Sequence, residues 1–296
     1  MYRSAVALLL AFFLMLIVIV LASQSMLVIQ RIAHVDSVQG KVECQERRAS
    51  PWQPLRQGML VKAGTQIRTA ADGAALLTWA DGAKVKVGPD TLLSVEKCYA
   101  KSGTDEEVSL FRLHRGRVWT RIAKRLGEGA QFQVATPIAV AGVRGTVFGV
   151  ETQGRAQSAV SVYEGTVELT TAQGNKVVAN GTVATVTPAG QVQVRQQSPE
   201  ELRQWRARED ILLPVLELTT PREGEPLRGD SVSVAGRVEP GARLTVNGVA
   251  VAHAPSGRFR TTCKPQPQQS KITVTAEDRA GRRTVRELPL LRDSRR

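Results

Sequence analysis

Thr136-Pro137-Ile138-Ala139-Val140-Ala141-Gly142-Val143-Arg144-Gly145-Thr146-Val147-Phe148-Gly149-Val150-Glu151 decides how this chain is read. Thr136 and Pro137 break the strand before them, because proline fixes φ and brings no N–H to a ladder. A run of small and β-branched residues follows, suited to short strands. Arg144 sits inside that run with Gly145 and Thr146 directly behind it. A buried guanidinium must find acceptors for its five donors or reach water. The expected role of Arg144 is an internal clamp on strand carbonyls, and Phe148 and Val150 are expected in the core.

Outward from this stretch, short runs with strand character alternate with turn signals. Ala74–Trp79, Lys84–Val87 and Leu92–Val95 are separated by Asp72-Gly73, Asp81-Gly82 and Gly88-Pro89-Asp90. Phe132–Ala135, Gly145–Glu151, Ala159–Tyr163, Val167–Leu169, Val183–Thr187 and Gln191–Val194 read as further strands, with a hairpin turn at Gly174-Asn175. Aromatic residues make up only 4% of the chain while glycine, valine and threonine are frequent, which favours short strands over large helical cores. The expected class is all-β, with short strands stacked as a roll or in a β-helix-like manner.

The pattern T-P-x-A-x-x-x-V-R-G-T-x-F-x-V resembles the signature of the FecR domain, carried here by Thr136, Pro137, Val143, Arg144, Gly145, Thr146 and Phe148. Val38–Glu43, Trp52–Leu55 with Gly64–Thr69, the two Asp-Gly-Ala turns and Leu113–Val118 resemble the family's earlier blocks. The likeness covers about residues 35–170. It implies a non-enzymatic sensing or interaction module on the periplasmic side of a bacterial inner membrane.

Ala5–Ala22 is a run of 18 residues without a charge, preceded by Arg3. As a helix it spans ~27 Å, near the ~30 Å of a bilayer's hydrocarbon core. A single-pass anchor over residues 5–23 is expected, with residues 1–4 in the cytoplasm and the bulk of the chain in the periplasm. The alternative is a signal peptide cleaved near Leu21-Ala22-Ser23, giving a secreted protein. FecR-type sigma regulators carry a long cytoplasmic segment, so the resemblance is to the sensor half with its transmitter missing.

Residues 30–197 are expected to form the FecR-like domain. Ser198-Pro199-Glu200-Glu201 then offers an N-cap, a proline at the first helical position and a glutamate at the third. A connector helix is expected within 198–213, with Leu202 and Trp205 on one face. Residues 214–296 read as a small β-sandwich: Ser231–Ala235, Leu244–Val246 joined to Val249–Val251 by Asn247-Gly248, Arg258–Thr262, Ile272–Ala276 and Thr284–Leu288. The landmarks Glu239-Pro240-Gly241-Ala242, Gly257-Arg258-Phe259 and Asp278-Arg279-Ala280-Gly281 make it similar to bacterial immunoglobulin-like modules.

The formal net charge is +13, spread over both halves of the chain. Arg112, His114, Arg115, Arg117, Arg121, Lys124 and Arg125 are the densest basic stretch. Arg112, Arg115, Arg117, Arg121, Lys124 and Arg125 are therefore candidate contacts to an anionic surface such as lipid or an envelope polymer. A peptidoglycan- or lipopolysaccharide-binding module is the rival to a protein-binding sensor, and a nucleic-acid partner is not expected. Cys44 and Cys98 are candidates for a disulfide, with buried thiols the alternative. No cofactor is expected and no metal site, since no two cysteines or histidines stand at ligand spacing. Nothing resembles a catalytic constellation: His34, His114 and His253 are isolated, and Asp105-Glu106-Glu107 reads as a solvated turn.

Overall fold

The computed structural model describes residues 28–46, 50–122, 129–143, 145–221, 231–266, 268–278 and 281–290. The expected anchor at 5–23, together with Arg144, Lys124 and Arg125, lies outside them. Among the described residues, no helix is long and apolar enough to cross a membrane.

Residues 28–196 form two sheets sharing one 15-residue strand, Glu107–Arg121. Its first half pairs with Leu92–Lys101, and its second half, from Gly116 on, pairs with Lys84–Val87 and Val147–Thr152. The change of sheet falls at Gly116, whose φ is +87°. A Cβ there would stand 2.3 Å from Thr91 Oγ1 and 2.5 Å from Thr91 Cα, so only glycine fits. After this strand the chain deals strand pairs alternately to the two sheets. Gln131–Ala135 and Ala139–Val143 go to the first, then Val147–Thr152 and Ser158–Glu164 to the second. Thr166–Thr171 and Gly174–Ala179 return to the first, and Thr182–Val186 and Val192–Gln196 to the second. Among the described residues the pairings are antiparallel except Val108–Arg112 with Gln131–Ala135, which is parallel. The arrangement is a roll and not a β-helix, whose coils pair in parallel.

The core lies between the sheets. Trp79, Phe111, Phe132 and Phe148 form a file of aromatic contacts through it, with centroids 5.5, 5.2 and 6.4 Å apart. Phe148 is fully buried at one end of this file. The signature stretch is two strands, not one. Ala139–Val143 belongs to the first sheet and Val147–Thr152 to the second, and Gly145 between them has φ +93°. The described strands on either side of position 144 thus belong to different sheets: Val143 ends one of the first and Val147 opens one of the second. Thr136 secures the turn before the earlier strand: Oγ1 accepts from Ala139 N at 3.0 Å and donates to Ala139 O at 3.1 Å. Ser158 of the opposite sheet donates to the same oxygen at 3.0 Å.

Some strands escaped the sequence reading. Gly174 opens a strand, so the turn of that hairpin is Ala172-Gln173, just before the expected Gly174-Asn175. Cys44 and Cys98 are free buried thiols and not a disulfide. The strand Gln66–Thr69 separates theirs, Cys44 pairing with Ile67 and Ile67 with Leu93, five residues before Cys98. Two strand spacings, ~10 Å, already exceed the ~7 Å reach of a disulfide between Cα atoms. Burial pushes both thiols above the ordinary cysteine value.

The chain leaves the roll through the helix Pro199–Arg206, with Ser198 at the N-cap and a complete capping box to Glu201. A short turn of helix, Glu209–Leu212, follows. Residues 216–289 form a sandwich with its own core. Leu216–Thr220, Val232–Val238 and Arg258–Cys263 make one sheet; Arg243–Val246, Val249–Val251, Lys271–Glu277 and Arg283–Pro289 make the other. Val234, Leu244, Ile272 and Val274 fill the space between them. Asn247-Gly248, both at positive φ, form the expected two-residue hairpin.

Candidate interdomain site

The second sheet of the roll is buried on both faces, and this makes the site. Val118 and Thr120 point into the core, so Trp119 and Arg121, alternating with them, stand on the outer face. The helix Pro199–Arg206 lies against that face. Trp205 stacks on Tyr163, with centroids 5.5 Å apart and planes at 17°. The Arg208 guanidinium lies 3.9 Å from the Trp119 ring centroid and 5.8 Å from that of Trp205. Leu212 packs with Val147 and Trp205 in a small apolar cluster. Lys84 Nζ donates to Leu213 O at 2.9 Å.

Arg121, at the far end of the shared strand, carries the main contact between roll and sandwich. Nη1 donates to Glu239 Oε2 at 2.6 Å and Nη2 to Glu239 Oε1 at 2.9 Å, a bidentate fork. Nη2 also reaches Asp278 Oδ2 at 3.2 Å. The side chains of Arg121, Glu239 and Asp278 are 3%, 5% and 6% exposed. Asp278 accepts in turn from Arg282 Nε at 2.7 Å, and Arg282 Nη1 donates to Glu164 of the roll at 2.7 Å. Glu239 also accepts from Val215 N at 3.3 Å. Burial pushes the Asp278 carboxyl up, but the hydrogen bonds from Arg282 and the charges of Arg282 and Arg121 outweigh it and hold it below the ordinary aspartate value. Gly82 completes the seat: a Cβ there would come within 2.7 Å of Glu239 Cγ. The neighbouring Asp81 is ion-paired to Arg31, just beyond the first strand.

Beside this network the described residues leave a cleft of about 1010 Å³, bordered by His34, Asp36, Lys84, Leu216, Thr284 and Arg286. Among the described residues no group of three His, Cys, Asp or Glu side chains stands close enough to hold a metal. His114 meets Ser94 Oγ at 2.9 Å, and His253 lies between the carbonyls of Ala254 and Ala242.

Among the described residues of the basic stretch, Arg121 stands apart from the rest. Arg121 is a correction, since it is buried in the domain junction and unavailable to any polymer or lipid. Arg112 is paired with Glu96 and Arg117 with Glu151. Arg115 is exposed. Glu239, Asp278 and Arg282 were not singled out by sequence reasoning. Glu239 and Asp278 appeared there only as landmarks of turns; an acid beside a Pro-Gly turn in an apolar stretch was the one hint of Glu239.

Comparison with known proteins bears on the roll. Residues 65–168 match the family model described as FecR protein. The chain carries a FecR domain. The match begins at Thr65, so the blocks Val38–Glu43 and Trp52–Leu55 fall outside it, although their strands belong to the same two sheets. Arg121, Phe148 and Glu164 lie inside the FecR match; Glu239, Asp278 and Arg282 lie beyond it. Two crystal structures of a candidate anti-sigma factor from Parabacteroides distasonis ATCC 8503, at 1.65 and 2.50 Å resolution, align with 21% identity. They cover 48% of this chain and 64% and 63% of their own, with TM-scores of 0.40 and 0.39. The chain thus spans less than two thirds of the length of those structures. No curated protein matches it.

Proposed function

We propose that this protein is a non-enzymatic sensor or interaction scaffold of the bacterial cell envelope, held in the inner membrane by residues 5–23 with the roll and sandwich in the periplasm. The FecR domain at residues 65–168 carries this reading. Its resemblance implies signal handling on the periplasmic side, and the charge-free run Ala5–Ala22 supplies a segment long enough for an anchor. The sandwich is read as an immunoglobulin-like module fixed to the FecR domain, so that a partner meets one composite surface. Burial of Arg121 and the pairing of Arg112 and Arg117 with acids weigh against an anionic polymer as the ligand.

The test has two arms. Membranes carrying the full chain are washed with carbonate and the retained protein is sequenced from its amino terminus. Retention with residue 1 present is expected, whereas a start near Gln24 would establish cleavage. In the source bacterium, deleting the gene is expected to change the transcriptional response to an envelope challenge, with no sedimentation of the purified periplasmic part on peptidoglycan. An unchanged response together with salt-resistant sedimentation would overturn the sensor reading in favour of polymer binding.

A further inference from the structure

The first described strand, Val28–Gln30, exposes apolar side chains at a sheet edge. Val28 is 56% exposed, Ile29 50% and, just beyond the strand, Ile32 39%. The strand pairs Val28 with Lys101, Ile29 with Ala100 and Gln30 with Tyr99, and Ala100 and Tyr99 pair in turn with Glu107 and Val108 at the start of the shared strand. The result is a three-stranded tip at one end of the roll. Exposed apolar strand edges invite unwanted pairing and need a cover.

The sequence before this strand says what covers it. Four residues, Gln24–Leu27, separate the strand from the segment 5–23. At no more than ~3.6 Å per residue, the five steps from residue 23 to Val28 reach about 18 Å at most. The headgroup layer alone accounts for ~5–8 Å of that. On the reading that residues 5–23 span the membrane, Val28 therefore lies no more than about 10–13 Å outside the headgroup layer whatever path the link takes.

We infer that the tip bearing Val28, Ile29 and Ile32 is a membrane-seating surface, whose occupant is the lipid headgroup and upper acyl region of the bilayer that holds the anchor. The nearby charges indicate how it binds. Arg31 is paired with Asp81 and Lys101 with Glu106, while the exposed Lys97 lies opposite Leu110 and the acids Asp105 and Glu107 flank the start of the shared strand. Bases do not outnumber acids, so attraction to anionic lipid is not the driving term. Insertion of apolar side chains is, aided by Tyr99, an interfacial type of residue whose hydroxyl donates to Glu106 at 3.1 Å. The seat also fixes orientation. Arg31, next to it, holds Asp81, and the adjoining Gly82 carries Glu239 of the sandwich, so both domains are set relative to the bilayer.

The experiment uses the full chain with Cys263→Ser, leaving the buried Cys44 and Cys98, reconstituted in vesicles of phosphatidylcholine and of its equal mixture with phosphatidylglycerol. Single cysteines at Ile29, Ile32, Val177 and Val249, labelled with an environment-sensitive dye, are read for emission shift and for quenching by headgroup-region spin-labelled lipid. The labels at 29 and 32 are expected to be blue-shifted and quenched at least about threefold more than those at 177 and 249, equally in both lipids and without sensitivity to salt. Carbonate extraction of the same vesicles separates two failures. A chain that is retained, but whose labels at 29 and 32 behave like those at 177 and 249, overturns the seat and leaves the anchor standing. A chain that is released overturns the anchor and the seat with it. Labels at 29 that excite one another between chains without lipid quenching would assign the tip to a second copy and equally overturn the inference.

Discussion

At the scale of the residue, Gly149 shows how the signature stretch does two jobs. Val147-Phe148-Gly149-Val150 has no polar member, and a strand buried on one face alone would alternate. Phe148 and Val150 face the core, as their spacing indicates, while Val147 and Gly149 face the connector helix. A Cβ at 149 would lie 2.9 Å from Ser161 Oγ, 3.1 Å from Trp119 Cδ1 and 3.2 Å from Trp205 Cζ2. The two rings are the ones that flank Arg208, so they have little room to retreat. Gly149→Val is expected to destabilise the chain by about 1–3 kcal/mol, as overpacking does. It is also expected to make the connector cleavable by trypsin at Arg206 or Arg208 under native conditions. Unchanged cleavage and melting would show that the helix is not seated on this strand. The sequence indicated that the run is apolar and strand-forming, but not that a helix covers its second face, because the cover comes from residues more than fifty positions later.

At the scale of the element, the connector was the most legible piece, since its start is written in local chemistry. Ser198 Oγ accepts from Glu201 N at 3.2 Å, and Glu201 Oε2 accepts from Ser198 N at 2.7 Å. Arg195, on the last strand of the roll, adds a fork to the same carboxylate at 2.8 and 2.7 Å. The hydrogen bond from Arg195 leads the effects that bring Glu201 down to about 2. A carboxylate with a depressed value stabilises the fold fully above its unfolded value near 4.5 and loses that contribution as pH falls toward 2. Because Arg195 and Glu201 are 57% and 35% exposed, the pair is screened and contributes no more than about 1 kcal/mol. Ser198→Ala is expected to cost about 1 kcal/mol at every pH. Glu201→Gln keeps the capping geometry, so its cost at pH 7 is expected to vanish by about pH 2. Chemical denaturation across that range decides it, and a cost independent of pH would remove the ion pair from the account. Strands with alternation and flanking turns, such as Ala74–Trp79 and Lys84–Val87, were equally legible. Ala139–Val143 was not, because alanine and glycine at alternate positions carry little periodic signal. Leu216–Thr220 was hidden behind the proline-marked entry to the sandwich.

At the scale of the whole molecule, the question is whether two cores make two independent bodies. Each has its own apolar cluster, which favours separate folding. The junction argues the other way, and magnitudes decide between them. A buried ion pair adds little net stability when intact, yet removing one partner strands a buried charge at a cost of about 3–5 kcal/mol. Arg121 faces two carboxylates of the sandwich, Glu239 and Asp278, while Arg282 remains as a partner for Asp278 only. No such arrangement was legible in the sequence, for Arg121 and Glu239 lie 118 positions apart and neither has a local partner that marks it as buried. Arg121→Ala leaves Glu239 with the backbone N–H of Val215 and, among the described residues, no ion-pair partner, so parting the domains to hydrate that carboxylate becomes the cheaper course. The intact part 28–296 is therefore expected to melt in one calorimetric transition, and the Arg121→Ala variant in two, at temperatures matching the separate fragments 28–197 and 210–296. Adding Glu239→Gln to Arg121→Ala removes the stranded charge and is expected to bring the transitions back together in part, because a neutral amide tolerates burial better than a lone carboxylate. Two transitions in the unaltered protein would mean that the junction is a contact between independent domains. One transition in Arg121→Ala would mean that the connector helix and the Arg282–Glu164 pair suffice to join them without it.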